Sequence, residues 1–309
     1  MELIVFLSDF HYDGRKTAGW NPKTARNALH VITQQLLQLR EDTDAEAIHL
    51  LFLGDIMDGE CVYPEQAYEL ELAGFDQVMD GATVFFDALI EPLARVCPVT
   101  MDGVPGNHAY LRWAHRKTNL DAFFYGVLEQ KIKERRLRTV RSAFFQRTRQ
   151  DALELKLAEC GQVRCLIGHG HFLRSPSFPI VAITRRLSAW MAIFRKFQVV
   201  AFGHYHRCGL IWIAPETLLV LNGCLLAHDE FSLTRYGSPG DRKWVVLVTN
   251  GQRVLTAHFL HAPVSPKAPS AERLWLSSNH DGQRRTLDES SLTKRGPSRG
   301  KGRKVGGAS

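Results

Sequence analysis

The chain has 309 residues, 45% hydrophobic and 23% charged, enough for one large domain or two small ones with a full core. Its formal charge of +7 is uneven: residues 263–309 hold ten Lys/Arg against four Asp/Glu, leaving about +1 for the first 262. No apolar run has transmembrane length, Met1-Glu2-Leu3 has no basic n-region, and the six cysteines include no Cys-x-x-Cys pair. These features argue against a membrane span, a disulfide frame and a zinc ribbon, and predict a cytoplasmic, unprocessed chain with free thiols in its core.

In chain order, Ile4–Leu7 reads as a strand that runs into Ser8-Asp9-Phe10-His11. Asn21-Pro22 is a helix start, Asn as N-cap and Pro in the first turn, and Leu29, Ile32, Leu36 and Leu39 carry helical spacing to about Arg40. Ile48–Leu53 is a second strand, ending in Gly54-Asp55-Ile56-Met57-Asp58. Helical spacing resumes over Pro64–Arg95, with Gly74 and Gly81 as places where it can split. Pro98–Pro105 is a third strand, leading to Gly106-Asn107-His108, and Asn119–Arg136 is a helix with a basic end.

Strands then dominate. Phe144–Gln146, Leu153–Leu157 and Val163–Ile167 are expected, the last ending in Gly168-His169-Gly170-His171. A basic amphipathic helix is expected over Ile180–Phe197. Val199–Phe202 follows, ending in Gly203-His204-Tyr205-His206, then Leu210–Ile213 and Leu218–Leu221. Trp244–Thr249 and Val254–Leu260 read as a hairpin on a two-residue Asn250-Gly251 turn. Strand–helix alternation in the first half and hairpins in the second predict a two-sheet α/β sandwich, αββα, over residues 1–262. Residues 263–309, with Pro263, Pro266, Pro269 and a Lys/Arg-rich end, read as a disordered basic tail.

Five apolar runs thus end in His, Asp or Asn. Asp9, His11, Asp55, Asn107, His169, His204 and His206 offer carboxylate, imidazole and amide donors without thiolate. That is a donor set for Mn²⁺, Fe²⁺, Zn²⁺ or Ni²⁺, with manganese foremost. Seven ligands exceed what one open catalytic metal needs and suit two metals sharing a carboxylate. Such a pair can clamp a phosphoryl group and lower the pKa of water.

Asp9-x-His11, Gly54-Asp55-x-x-Asp58, Gly106-Asn107-His108, Gly168-His169 and Gly203-His204-x-His206, in this order, resemble the motifs of the calcineurin-like metallophosphoesterase superfamily, over residues 1 to about 230. Gly168–Phe172, Asn222-Gly223-Cys224 and Asp229-Glu230-Phe231 also resemble its phage-encoded branch. The resemblance implies Asp9, His11 and His206 on one metal, Asn107, His169 and His204 on the other, and Asp55 bridging. His169 is preferred over His171 as ligand because it directly follows the strand; His171 would face substrate. His108 would act at the leaving-group oxygen as general acid or charge stabiliser, and Asp58 would orient a ligand.

Many members of the superfamily it resembles carry an acid after the third-motif histidine, where this chain has Ala109. The implied activity is hydrolysis of a phosphate ester, with a lean to phosphodiesters and nucleic acid held through the basic tail. A nucleotide or phosphoprotein phosphomonoesterase, or a non-catalytic binding module on the same fold, are the alternatives. Arg112, His115, Arg116 and Lys117 are candidates for phosphate contact.

Overall fold

The computed structural model describes residues 1–14, 19–110, 118–146, 154–173, 179–194, 196–226 and 240–263. All of these lie in one unit, Met1–Pro266. The basic tail beyond residue 263, the segment holding Arg112, His115, Arg116 and Lys117, and Asp229-Glu230-Phe231 lie outside the described residues.

Two sheets form the centre. The first has six strands: β1 (Glu2–Leu7), β2 (Ala47–Phe52), β3 (Val99–Gly103), β4 (Val140–Ser142), β10 (Lys243–Thr249) and β11 (Val254–His261). Their order is β11-β10-β1-β2-β3-β4, with β1 to β4 parallel and β10 and β11 antiparallel. The second has β5 (Leu155–Cys160), β6 (Val163–Gly168), β7 (Val199–Phe202), β8 (Gly209–Ala214) and β9 (Thr217–Leu221), ordered β5-β6-β7-β9-β8.

Strand alternation sorts the core into layers. Ile4 and Phe6 of β1 pack with Leu51, Ile167, Ala201, Val220 and Leu247 between the sheets. Leu3, Val5 and Leu7 point the other way, against Leu29, Ile32 and Leu36 of α1 (Pro22–Asp42) and Phe85 of α2 (Gly74–Phe85). On the far face of the second sheet, Leu166, Val200 and Leu219 pack against Ile183, Leu187, Trp190 and Phe194 of α5 (Ile180–Phe194). The order helix–sheet–sheet–helix is the αββα sandwich expected. No helix among the described residues is long and apolar enough to cross a membrane.

Several local expectations change. Asn21 caps α1 in a full capping box, its side chain accepting from Thr24 N–H. The Pro64–Arg95 segment is not one helix. Gln66–Glu69 forms a short 3₁₀ turn, α2 starts at Gly74, and a wide π turn over Phe86–Ile90 leads into α3 (Glu91–Ala94). Gly81 does not break α2; a Cβ there would sit 2.8 Å from the Met57 side chain.

Phe144–Gln146 is a turn rather than a strand, and the strand is β4, four residues earlier. Phe144 is buried because its ring stacks on Tyr125, 4.3 Å between centroids, which gave the segment its strand-like apolarity. Leu153 lies outside the described residues; β5 starts at Leu155 and runs on to Cys160. The basic helix ends at Phe194, short of Phe197. The β10–β11 loop spans four residues, since Thr249 pairs with Val254, and Asn250 Oδ1 accepts from Gln252 and Arg253 N–H. All six cysteines are free, but Cys61 is exposed and Cys208 only half-buried.

Candidate metal centre

β1, β2 and β3 are parallel to one another, as are β6 and β7, so the segments after them collect at common edges. The first two loops also run side by side. Asp9 N–H donates to Gly54 O (3.1 Å), His11 N–H to Asp55 O (3.0 Å) and Tyr12 N–H to Ile56 O (2.8 Å), continuing the β1–β2 ladder past the strands. Indoles bind the carbonyls left over: Trp244 Nε1–H donates to Ser8 O, and Trp20 Nε1–H to Phe10 O and His11 O.

The loops hold strained backbone. Asp9, His11, Asp55, His204 and His206 all have positive φ, between 47° and 67°. Each such residue costs on the order of 1 kcal/mol and persists only where its surroundings hold it. Glycines allow the close approach. A Cβ on Gly106 would lie 2.0 Å from Asp55 Oδ1, and one on Gly203 would lie 2.5 Å from Asp9 Oδ2.

Three groups of side chains lie close enough to hold a metal ion: Asp9 with His11 and His206; Asp55 with His169 and His204; and His11 with Asp55 and His108. In the first, His11 Nε2 is 3.2 Å from His206 Nε2, and His206 Nε2 is 3.3 Å from Asp9 Oδ1. His11 Nδ1–H donates to Asp58 Oδ1 at 2.9 Å, which leaves Nε2 of the neutral ring as a lone pair. Asp9 also accepts the His204 backbone N–H at 3.0 Å.

The second group is tighter. His169 Nδ1 lies 2.9 Å from Leu53 O, an acceptor only, so Nδ1 carries the hydrogen. Nε2 of the neutral ring is then a lone pair, 2.9 Å from both Asp55 Oδ2 and Asn107 Oδ1. Asp55 Oδ2 is buried without a hydrogen-bond partner. Three electron-rich atoms facing one another in a buried space fit a cation. The charge balance agrees. Burial opposes an imidazolium at His169, yet the Asp55 carboxylate outweighs it and lifts the pKa to about 9. Burial and the neighbouring His169 push His204 down to about 3. A field that holds a proton on a fully buried imidazole favours a divalent cation in the same place.

The seven donors expected from the strand ends are therefore brought together, Asn107 through His169. Asp55 belongs to two of the groups, the position a shared carboxylate would take. His171 belongs to none; its ring centroid is 5.6 Å from that of His169 and 6.3 Å from that of His204.

His108 stands beside the centre with its side chain 22% exposed. Its backbone N–H donates to Asp55 Oδ1 (2.7 Å), and its Nδ1 meets Asp58 Oδ1 at 3.2 Å. Burial opposes its charged form, but Asp55 and Asp58 prevail and raise its pKa. Asp58 thus serves both His11 and His108. Burial works against its charge too, and the bonds from His108 and His11 still hold it well below the usual carboxylate range. Ala109 is fully buried, and the carboxylate that His108 Nδ1 meets is that of Asp58.

Sequence reasoning missed the supports. Gln66 Nε2–H donates to Asp58 Oδ2 at 2.7 Å. Asn222 Nδ2 bridges Phe6 O and Ser8 Oγ, while its Oδ1 accepts Val245 N–H. Asp121, fully buried in the first turn of α4 (Leu120–Glu134), accepts from four backbone N–H groups of the second and third loops. Asn222 falls within the Asn222-Gly223-Cys224 stretch and Asn119 is the first residue of the expected helix, whereas Gln66 and Asp121 carry no such signal.

No family model matches the chain, and no curated protein matches it in sequence. Solved structures that resemble it include a novel phosphatase from Mycoplasma pneumoniae (13% identity, 86% of this chain and 95% of that one, TM-score 0.38). A dimetal phosphatase from Danio rerio also resembles it (10% identity, 84% and 99%, TM-score 0.35). So does zinc-complexed Vps29 from Entamoeba histolytica (10% identity, 83% and 96%, TM-score 0.37). At such identities and scores these are likenesses of overall fold, and they bear on neither activity nor substrate.

Proposed function

We propose that the chain is a two-metal phosphoesterase acting on phosphodiesters. The observation that carries this reading is the convergence of His169 Nε2, Asp55 Oδ2 and Asn107 Oδ1 at 2.9 Å beside a second His–Asp group. Asp9, His11 and His206 would hold one cation, Asn107, His169 and His204 the other, and Asp55 both. Bound there, divalent cations supply Lewis acidity toward a phosphoryl group and a water of lowered pKa.

The chain's own residues do the rest. Asp58 orients His11 and His108 through their Nδ1 atoms, which leaves Nε2 of His108 to carry a proton to the departing alcohol oxygen. Against the opposing effect of burial, the Asp55 and Asp58 carboxylates raise the His108 pKa and favour its charged form, which would offset the negative charge that builds on that oxygen. Ala109 does not leave His108 without a carboxylate, since Asp58 Oδ1 lies 3.2 Å from its Nδ1, and this supports the catalytic reading over a non-catalytic module.

The test is hydrolysis of bis-p-nitrophenyl phosphate and p-nitrophenyl phosphate with Mn²⁺. Cleavage of the diester supports the proposal, and cleavage of the monoester alone makes the protein a phosphomonoesterase. Turnover of neither, with two metals bound, makes it a binding module. We also propose that the basic tail tethers nucleic acid, supported by its ten Lys/Arg against four acids. DNA affinity that survives deletion of residues 263–309 and ignores salt would refute the tether.

A further inference from the structure

We infer that Asp121 is a positioning residue for the centre: its carboxylate holds the Asp55 loop and the Gly106 loop in the one register where Asp55, Asn107 and His108 meet. This rests on the two-metal reading and names a residue outside the five motifs that it depends on.

The two carboxylate oxygens divide the work. One accepts Asp55 N–H (2.9 Å) and Gly106 N–H (2.8 Å), so a single atom joins the two loops. The other accepts Ile56 N–H (3.2 Å) and Met57 N–H (2.9 Å). All four donors lie in loops with no ladder partner for them, and each would otherwise be a buried orphan. The carboxylate is not needed as the helix cap, because Asn119 Oδ1 already accepts Asp121 N–H at 2.8 Å. Asn119 instead braces the same junction, its Nδ2–H donating to Gly106 O at 3.0 Å. The N-terminal end of α4 offers a favourable field for the buried anion.

The consequence reaches the ligands through the backbone. Asp55 sits at φ 52°, a conformation that relaxes unless its N–H is held. Gly106 must approach so closely that any Cβ would strike Asp55 Oδ1. With both amides on one oxygen, Asp55 Oδ1 is presented to His108 N–H, and Oδ2 is left facing His169 Nε2. An amide at position 121 would turn one oxygen into a donor opposite two donors and release one pair of N–H groups.

The experiment is Mn²⁺ titration calorimetry on the full-length chain, alongside kcat and KM for bis-p-nitrophenyl phosphate, in wild type, Asp121→Asn, Asp121→Glu and Leu128→Ala. Leu128 is buried in the same helix and touches neither loop's amides, so it reports lost stability alone. The expected result is that Asp121→Asn binds Mn²⁺ about 10- to 100-fold more weakly, the usual loss for an outer partner of a metal ligand, with kcat falling and KM little changed. Leu128→Ala lowers Tm and keeps wild-type Mn²⁺ affinity. Wild-type affinity in folded Asp121→Asn, or an equal loss in Leu128→Ala, overturns the inference. If Asp121→Asn does not fold, Asp121→Glu decides: it keeps the charge but displaces the oxygens, so weakened Mn²⁺ binding is expected and unchanged binding overturns it. A wild-type chain that binds Mn²⁺ without hydrolysing any ester, while Asp121→Asn loses the metal, sinks the phosphoesterase reading and upholds the role of Asp121. A wild-type chain that takes up no Mn²⁺ overturns both.

Discussion

His11 Nε2 and His206 Nε2 lie 3.2 Å apart although 195 residues separate them. The Nδ1 of His11 is committed to Asp58, so its ring is fixed in the orientation that aims Nε2 at this point. Holding two imidazoles so close costs desolvation that only a shared partner offsets.

Asp55→Asn removes the carboxylate that both cations would share on the two-metal reading. Turnover should fall by about 10³-fold or more, since ~4 kcal/mol of lost charge stabilisation is three decades in rate. Metal analysis after desalting should find fewer than two equivalents per chain, and two full equivalents would show that Asp55 does not bridge.

His108→Asn should leave metal content at the wild-type level and slow diester hydrolysis by about 10²- to 10⁴-fold, the usual range for a general acid. Loss of metal in this variant would place His108 among the ligands instead.

Gly106→Ala puts a methyl group 2.0 Å from Asp55 Oδ1. Neither the fixed loop nor the buried carboxylate has room to yield, so a stability loss of about 1–3 kcal/mol is expected, with weaker Mn²⁺ binding. Thermal unfolding with and without Mn²⁺ checks both, and an unchanged Tm would mean that the two loops are farther apart in solution.

Lys156 and Asp102 form a buried ion pair at 2.6 Å between β5 and β3, and Lys156 Nζ also donates to Ala143 O. Lys156→Met should destabilise the fold by ~3–5 kcal/mol, because it takes the cation away from a buried carboxylate. Adding Asp102→Leu should recover much of that loss in urea unfolding. A double variant as unstable as the single one would locate the cost in packing rather than in charge.

What the linear chain determined was the chemistry on offer and where each strand stops. Apolar runs such as Ile4–Leu7 and Val199–Phe202 announce buried strands, and the Asp, Asn and His residues after five such runs are legible together as candidate metal donors because they form a carboxylate, imidazole and amide set without thiolate. Element ends such as Phe144–Gln146 misled, since a ring buried by stacking on Tyr125 looks the same in sequence as one buried in a sheet. Tertiary structure alone decided which donors share a point, that Asp58 serves two histidines, and that Asp121 ties two loops together. The physical reason is range. Strand and helix patterns are set by neighbours a few residues apart, whereas a carboxylate accepting N–H groups 15 to 66 residues away leaves no periodic trace.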